Sequence, residues 1–390
     1  MTQVRVIGAG LSGLAAAWYL TKAGARVEII DASSRPGGLI ATSHLPQGIV
    51  ESAANALLWT SDVQELFADL GITPVFPRRQ SRRRYILRDG RPRRWPLSPI
   101  ETFTAAATFG ARWTAGSTAP FDGESVAAWG RRVLGRAATE HLLEPALQGI
   151  YAAPASSLSA GAIGLGRRRP RPGLAAPAGG MGELIAALHA ALERSGARFH
   201  FDTRLDSLEP GARAIVCTDA PSAARLVSSA GIEPLAGALR RVQTLPLVTA
   251  TAFFEPLPAD LRGFGVLFPR GTARALGVLF NSDTFEGRGP MRSETWIYGD
   301  RALIDAGDAA ITAAILEDRR HTASASTRPA AVSITRVPSA LPIYDVAIGG
   351  VARALEALPP WLGVCGNYTG KIGVAALIAR AKSEAGRVGG

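Results

Sequence analysis

The constraint that narrows this chain most lies in its first forty residues, where Val4-Arg-Val-Ile-Gly8-Ala-Gly10-Leu-Ser-Gly13 runs directly into the apolar, small-residue stretch Leu14 to Leu20. A strand, three glycines at G-x-G-x-x-G spacing and a helix form the entry of a Rossmann unit that holds a pyrophosphate. Gly8 allows the tight turn off the strand, Gly10 lets backbone amides approach the phosphates, and Gly13 lets the helix pack against the strand. The positive end of the helix dipole then faces the anion. A second apolar run, Val27 to Ile30, ends at Asp31, 18 residues after Gly13, where an acid can accept hydrogen bonds from ribose hydroxyls. These features alone suit NAD and FAD equally.

At 390 residues the chain exceeds what one hydrophobic core normally serves, so two or three subdomains are expected. Hydrophobic residues make up 47%, yet no apolar run is long enough to span a bilayer. Ala15-Ala-Ala17 follows only one arginine, too weak a basic region for a secretory leader. With Cys217 and Cys365 as the sole cysteines and His44, His141, His189, His200 and His321 scattered, neither a disulfide framework nor a metal site is indicated. A cytoplasmic location is expected, with peripheral contact on the inner face of a membrane left open.

The net charge of +11 is unevenly placed. Nine arginines fall between Arg78 and Arg94 against one acid, Asp89, and a second cluster is Arg167-Arg-Arg-Pro-Arg171. Such patches favour an anionic partner or form a solvated basic face. No nucleic-acid motif accompanies them, so lipid headgroups or a multiply carboxylated small molecule are the better-matched partners.

Along the chain the pattern is interleaved, an α/β fold in which a Rossmann-type domain (1–56, 175–236, 345–390) alternates with an antiparallel-sheet substrate domain (57–95, 237–344) and a helical insertion with linker (96–174). Ser61 to Leu70 reads as a helix with Ser61 as N-cap and Gly71 as its stop. Arg84-Tyr-Ile-Leu-Arg-Asp-Gly90 reads as a strand and tight turn. Between Ile100 and Leu147 an alanine-rich stretch carries Phe103, Phe109, Trp113 and Trp129, whose spacing fits core packing, a channel or a membrane-facing surface. Gly161 to Gly180 reads as a flexible crossing. Alternating residues near 244–254, 265–281, 294–298 and 332–337 supply the substrate sheet.

At the far end, Leu362-Gly-Val-Cys-Gly366-Asn-Tyr-Thr-Gly370-Lys-Ile-Gly373 gives a strand, a glycine-rich turn and a helix. A helix amino terminus there would stabilise negative charge on a reduced flavin, and Lys371 would add a full charge.

Arg35-Pro-Gly37-Gly38, immediately after Asp31, is similar to the extension that flavoproteins of the amine-oxidase and glutathione-reductase superfamilies carry beside the FAD diphosphate, and this implies FAD rather than NAD. Over most of its length the chain resembles the protoporphyrinogen oxidase family. The resemblance rests on the amino-terminal motif, Gln148-Gly-Ile-Tyr151, Gly179-Gly-Met-Gly182, Gly263-Phe-Gly265-Val-Leu267, Leu276-Gly-Val-Leu279, Ala340-Leu-Pro342-Ile-Tyr344 and the carboxyl-terminal motif.

The resemblance implies an FAD enzyme of haem biosynthesis that oxidises a porphyrinogen to a porphyrin, with molecular oxygen as electron acceptor. Arg84 would pair with a substrate propionate, and Gly149, Gly265, Leu267, Leu279 and Ile297 would line a flat tetrapyrrole pocket. FAD contacts would come from Gly8, Gly10, Leu11, Ser12, Gly13, Asp31, Ala32, Arg35, Gly38, Asn55, Leu205, Gly366, Lys371, Ile372 and Gly373. No side-chain base stands out, because the cofactor carries the redox chemistry. An anionic membrane surface and a second copy of the chain join the expected partners. The chain departs from the family in its short length, in Ala53-Ala-Asn55-Ala replacing a glycine-proline-arginine-glycine turn, and in lacking glycine-histidine after Tyr344. Coproporphyrinogen is an alternative substrate; an amine oxidase, a carotenoid desaturase or a non-catalytic tetrapyrrole carrier are alternative readings of the same scaffold.

Overall fold

A computed structural model describes residues 2–166, 172–258, 260–323 and 327–390. The arginine cluster 167–171 lies outside them. Five strands form a parallel sheet in the order Arg198–His200, Arg26–Ile30, Gln3–Ile7, Ala214–Val216, Leu362–Val364. Ala214–Val216 and Leu362–Val364 are short, wholly buried runs because both faces are covered there. Helices Leu11–Lys22, Met181–Arg194 and Val374–Gly389 share one core with Val4, Val6 and Ile215. Ala220–Ser229, Glu233–Arg240 and Val346–Glu356 share the other with Ile7 and Val216. Strand order reverses between Gln3–Ile7 and Ala214–Val216, and a crevice at such a switch point is where doubly wound sheets bind ligands.

A second sheet of seven strands runs Ala331–Pro342, Thr244–Phe254, Arg292–Tyr298, Gly277–Phe280, Gly265–Leu267, Arg84–Arg88, Arg91–Arg93. All neighbours are antiparallel except Gly265–Leu267 with Arg84–Arg88, which are parallel. The exception arises because Arg84–Arg88 arrives from a distant part of the chain, and only a long connection can set two strands parallel. One face buries Val248, Ala250, Val266, Val278, Phe280, Trp296 and Tyr298 against Ile311, Ala314 and Ile315 of helix Asp308–Arg319.

The insertion is helical as expected: Pro99–Thr114, Val126–Val133, Arg136–Ala138, a π turn at Thr139–Leu143 and Glu144–Tyr151. Ser98 opens it with a capping box, its hydroxyl accepting from the Glu101 amide while Glu101 accepts from the Ser98 amide. Trp129 is core, whereas Phe103, Phe109 and Trp113 face solvent. Two local expectations are corrected. The helix over Ser61–Leu70 is preceded by Thr60 as N-cap, so Ser61 is already inside it, while Gly71 ends it at φ 66°. The 161–180 crossing is partly ordered, because Leu174–Pro177 pairs antiparallel with Leu57–Leu58 and Pro74–Val75. Among the described residues no helix is long and apolar enough to cross a membrane.

Behind the second sheet lies an ionic layer that is buried except at Arg262. Glu294 receives Arg292 Nε at 2.6 Å and Arg319 Nε at 3.2 Å, while Asp260 sits 3.6 Å from Arg292 and 3.7 Å from Arg319. Asp283 lies 3.7 Å from Arg292 and 3.0 Å from Arg262. The two buried guanidiniums also cover the rings of Phe280 and Phe254, at 4.6 and 3.8 Å. Removing one member of such a layer leaves uncompensated charge out of water. Glu294→Ala should therefore lower unfolding stability by about 3–5 kcal/mol in urea titration. A loss below about 1 kcal/mol would show that the layer is not what holds this sheet to its helix.

Candidate functional site

At the carboxyl end of Gln3–Ile7, Gly8 adopts φ 107°, and a Cβ there would sit 2.6 Å from the Cys217 carbonyl oxygen. A Cβ on Gly13 would lie 1.8 Å from the Gly8 carbonyl oxygen, so the first helix and the turn touch backbone to backbone. Asp31 straps this turn: one carboxylate oxygen accepts the Ala9 amide at 2.5 Å and the other the Ser33 amide at 2.7 Å. A carboxylate has about four acceptor sites, so capacity remains for hydroxyls. Gly37 donates to the Ala9 carbonyl at 2.8 Å, and a Cβ on Gly38 would lie 3.3 Å from Gly10 Cα. Arg35 folds over its own loop, toward the Pro36 and Gly38 carbonyls, and Ala32 is exposed beside it.

Gly10 is different. Its φ of −69° suits any residue, and a Cβ on it would meet no protein atom within 4 Å. Packing does not require glycine here, and the space beside it is open. The helix it opens, starting at Leu11, Ser12 and Gly13, has no side-chain cap, and neither has Val374–Gly389, opened by Gly373 at φ 100°. Helix Met181–Arg194 offers the contrast: Glu51 accepts the Met181 amide at 2.9 Å and Thr42 the Gly182 amide at 2.7 Å. Two uncapped helix ends over open space suit the diphosphate and the electron-rich ring of a flavin dinucleotide. Near the second end, Lys371 is exposed, Ile372 packs on the core, and a Cβ on Gly366 would strike the Tyr368 ring at 2.4 Å. Leu205, half-buried beyond Arg198–His200, packs against the same core.

The opposite face of the second sheet gathers the expected substrate residues into two rows, of which Arg84 is exposed, Leu267, Leu279, Ile297 and Thr249 are half-buried and the other five positions are buried. One row reads Arg84, Gly265, Leu279, Thr295, Thr251; the next reads Ile86, Leu267, Gly277, Ile297, Thr249. Five strands at about 4.8 Å spacing make a floor about 19 Å across. Leu267, Leu279 and Ile297 are each the one half-exposed position of their strand. Gly149, on helix Glu144–Tyr151, meets this floor so closely that a Cβ would lie 2.7 Å from Leu267 Cδ2. Arg84 stands exposed at the outer edge, its guanidinium 4.6 Å over the Phe264 ring. At the inner edge, Thr249 donates to the Ser52 carbonyl at 3.0 Å.

Sequence reading missed Ile86, Gly277, Thr249, Thr251 and Thr295; period-two counting from Leu279 and Ile297 reaches Gly277 and Thr295, and the others join the rows only through strand pairing. It also missed Glu51 and Arg288, a buried pair at 3.2 Å that lines a cavity of about 10 Å³ with Asn55, Asn281 and Phe285. Burial pushes the Glu51 carboxyl up, while Thr42, Met181 and Arg288 pull it back. Their signal was a lone acid and a lone arginine 237 residues apart, which no local pattern connects.

Comparison with known proteins agrees with this geometry. Residues 11–338 match the family model described as flavin containing amine oxidoreductase. Protoporphyrinogen oxidase 2 of Arabidopsis thaliana is 27% identical over 97% of this chain and 92% of its own length. Coproporphyrinogen III oxidase of Bacillus subtilis is 22% identical over 97% and 96%. A solved structure from Exiguobacterium sp., provisionally assigned as a protoporphyrinogen oxidase, superposes with a TM-score of 0.81 at 20% identity, covering 100% of this chain and 98% of that one.

The two kinds of glycine in the first turn separate folding from cofactor retention. Gly10→Ala should leave the melting temperature of the flavin-free protein unchanged while weakening flavin retention about tenfold or more, about 1.4 kcal/mol. Thermal melts and the ratio of flavin to protein absorbance read the two effects. Full flavin occupancy in the variant would show that Gly10 faces no ligand.

Proposed function

The chain belongs to the flavin containing amine oxidoreductase family, and from that premise we propose that it oxidises a porphyrinogen, protoporphyrinogen first, to the corresponding porphyrin with oxygen as electron acceptor. The observation that carries this reading is the floor: broad, built from leucine, isoleucine, glycine and threonine, with one arginine at its rim. Glycine opposite leucine in successive strands, Gly265 by Leu279 and Gly277 by Leu267, keeps the relief shallow enough for a macrocycle to lie flat. Arg84 is placed to hold a propionate, since its planar fork matches a carboxylate. Arg79, Arg82 and Arg83 are exposed next to it, and this local charge supports the second reading, coproporphyrinogen with its four carboxylates.

When bound, FAD supplies the hydride acceptor; Gly8, Gly10, Gly13, Asp31, Gly38 and Gly373 would hold it. The chain's own residues position: Leu267, Leu279 and Ile297 set the substrate plane and exclude water, Gly149 closes one side, and Arg84 fixes the rotation of the ring. The floor's threonine hydroxyls are bonded within the protein, Thr251 to Thr295 and Thr249 to the Ser52 carbonyl, and the two rows hold no side-chain base, so the chemistry rests on orientation and on an apolar surface.

The test is anaerobic mixing of the flavin-loaded protein with protoporphyrinogen, then with coproporphyrinogen, following flavin bleaching and porphyrin fluorescence. Bleaching by either establishes the reaction and ranks the two substrates; none by both, with flavin present, overturns the reading. Arg84→Ala should raise KM by roughly 10- to 100-fold, about 1.5–3 kcal/mol, with flavin occupancy intact. An unchanged KM would remove Arg84 from the substrate site.

A further inference from the structure

The outermost strand of the second sheet, Arg91–Arg93, extends the floor by one place beyond its rim. Arg93 stands directly opposite Ile86, and Arg91 opposite Arg88. Residues directly opposite in such a pair share a face. On the strand Arg84–Arg88, Tyr85 and Leu87 enter the core behind the sheet, so Arg84, Ile86 and Arg88 belong to the floor side. The second row, followed outward from Leu267 through Ile86, therefore ends in Arg93, while the first ends in Arg84. Two residues so placed are diagonal neighbours, about 7–8 Å apart and within reach of the same ligand when their side chains are long.

Arg84 and Arg93 are both exposed, and among the described residues neither has an ion pair. The acids of the hairpin and of the helix that follows are engaged elsewhere: Asp89 lies 3.7 Å from Arg88, and Glu101 accepts two hydrogen bonds from Arg88 at 2.7 and 2.9 Å. Those same contacts fix the backbone that carries Arg93. Arg88 also donates to the Pro96 carbonyl, and the Trp95 indole N–H donates to the Thr102 hydroxyl at 2.8 Å, so Arg93 lies between two fastenings. Two like charges held side by side without an acid repel each other, and two anions would relieve them.

We infer that Arg93 is a second carboxylate-binding residue, so that the floor takes a flat molecule with two carboxylates on one edge, one held by Arg84 and the other by Arg93. The planar guanidinium fork matches each carboxylate. The inference rests on the porphyrinogen reading and narrows it. Protoporphyrinogen carries its two propionates on neighbouring rings, at one edge of the macrocycle, and would engage both arginines. The second anchor completes the orientation that Arg84 begins, because a ring tied at two points cannot swing about either.

The experiment titrates the flavin-loaded protein with protoporphyrin, the stable oxidised ring with both carboxylates free, and with its dimethyl ester, reading tryptophan fluorescence quenching. The wild type should bind the diacid more tightly than the ester. Arg93→Gln should weaken diacid binding roughly 10- to 100-fold and leave ester binding unchanged. Its melting temperature should not move, since the side chain is exposed. Arg94→Gln removes the same charge one residue beyond the strand, outside the row, and should bind both ligands as the wild type does. Equal diacid binding by the wild type and Arg93→Gln overturns the inference and leaves the porphyrinogen reading standing. So does an equal loss in Arg94→Gln, which would reduce these arginines to a general positive field, or a wild type that binds diacid and ester alike. A wild type that binds neither ligand overturns the inference and the porphyrinogen reading together.

Discussion

The two halves of this molecule meet around one buried carboxylate. Glu51 accepts the Thr42 hydroxyl at 2.6 Å, the Met181 amide at 2.9 Å and the Arg288 guanidinium at 3.2 Å. Thr42 belongs to the hairpin after the first glycine turns, Met181 opens a helix under the parallel sheet, and Arg288 lies in the loop before a strand of the second sheet. A single side chain therefore caps a helix, anchors a hairpin and joins the dinucleotide half to the floor. Taking that carboxylate out of water is costly, and the three partners offset the cost. The segment that follows Glu51 reaches the inner edge of the floor at Ser52 and the small cavity at Asn55.

The strands of the second sheet carry two chemistries on opposite faces. Arg292 and Glu294 point into the buried ionic layer while Ser293, Thr295 and Ile297 face the floor. Period-two alternation lets one strand satisfy both demands. The ionic layer also backs the floor, since a buried charge that loses its partners there is left uncompensated.

What was legible in the sequence was what backbone geometry demands locally. Gly8, Gly13 and Gly38 announced themselves because only glycine fits where backbones touch, and the substrate strands carried their alternation in the plain order of their residues. Leu267, Leu279 and Ile297 were named from the family resemblance, and the structure sets them on one face of the sheet, whereas the threonines of the same face were not named, since threonine in a strand carries no signal of its own. Glu51 and Arg288 were invisible because a buried pair is defined by tertiary contact. The aromatics of the insertion were ambiguous for a related reason: the helical spacing of Phe103 and Trp113 fits burial and exposure alike, and only the position of the rest of the molecule decides which.

Arg84 and Arg88 are the first and last residues of one five-residue strand. The first forms the basic rim of the floor, and the last grips Glu101 of the outer helix. No loop or glycine intervenes between them. The outermost element of the insertion and the rim of the floor therefore form one lever with its fulcrum in the sheet, and whatever holds the helix still also steadies the guanidinium at the rim.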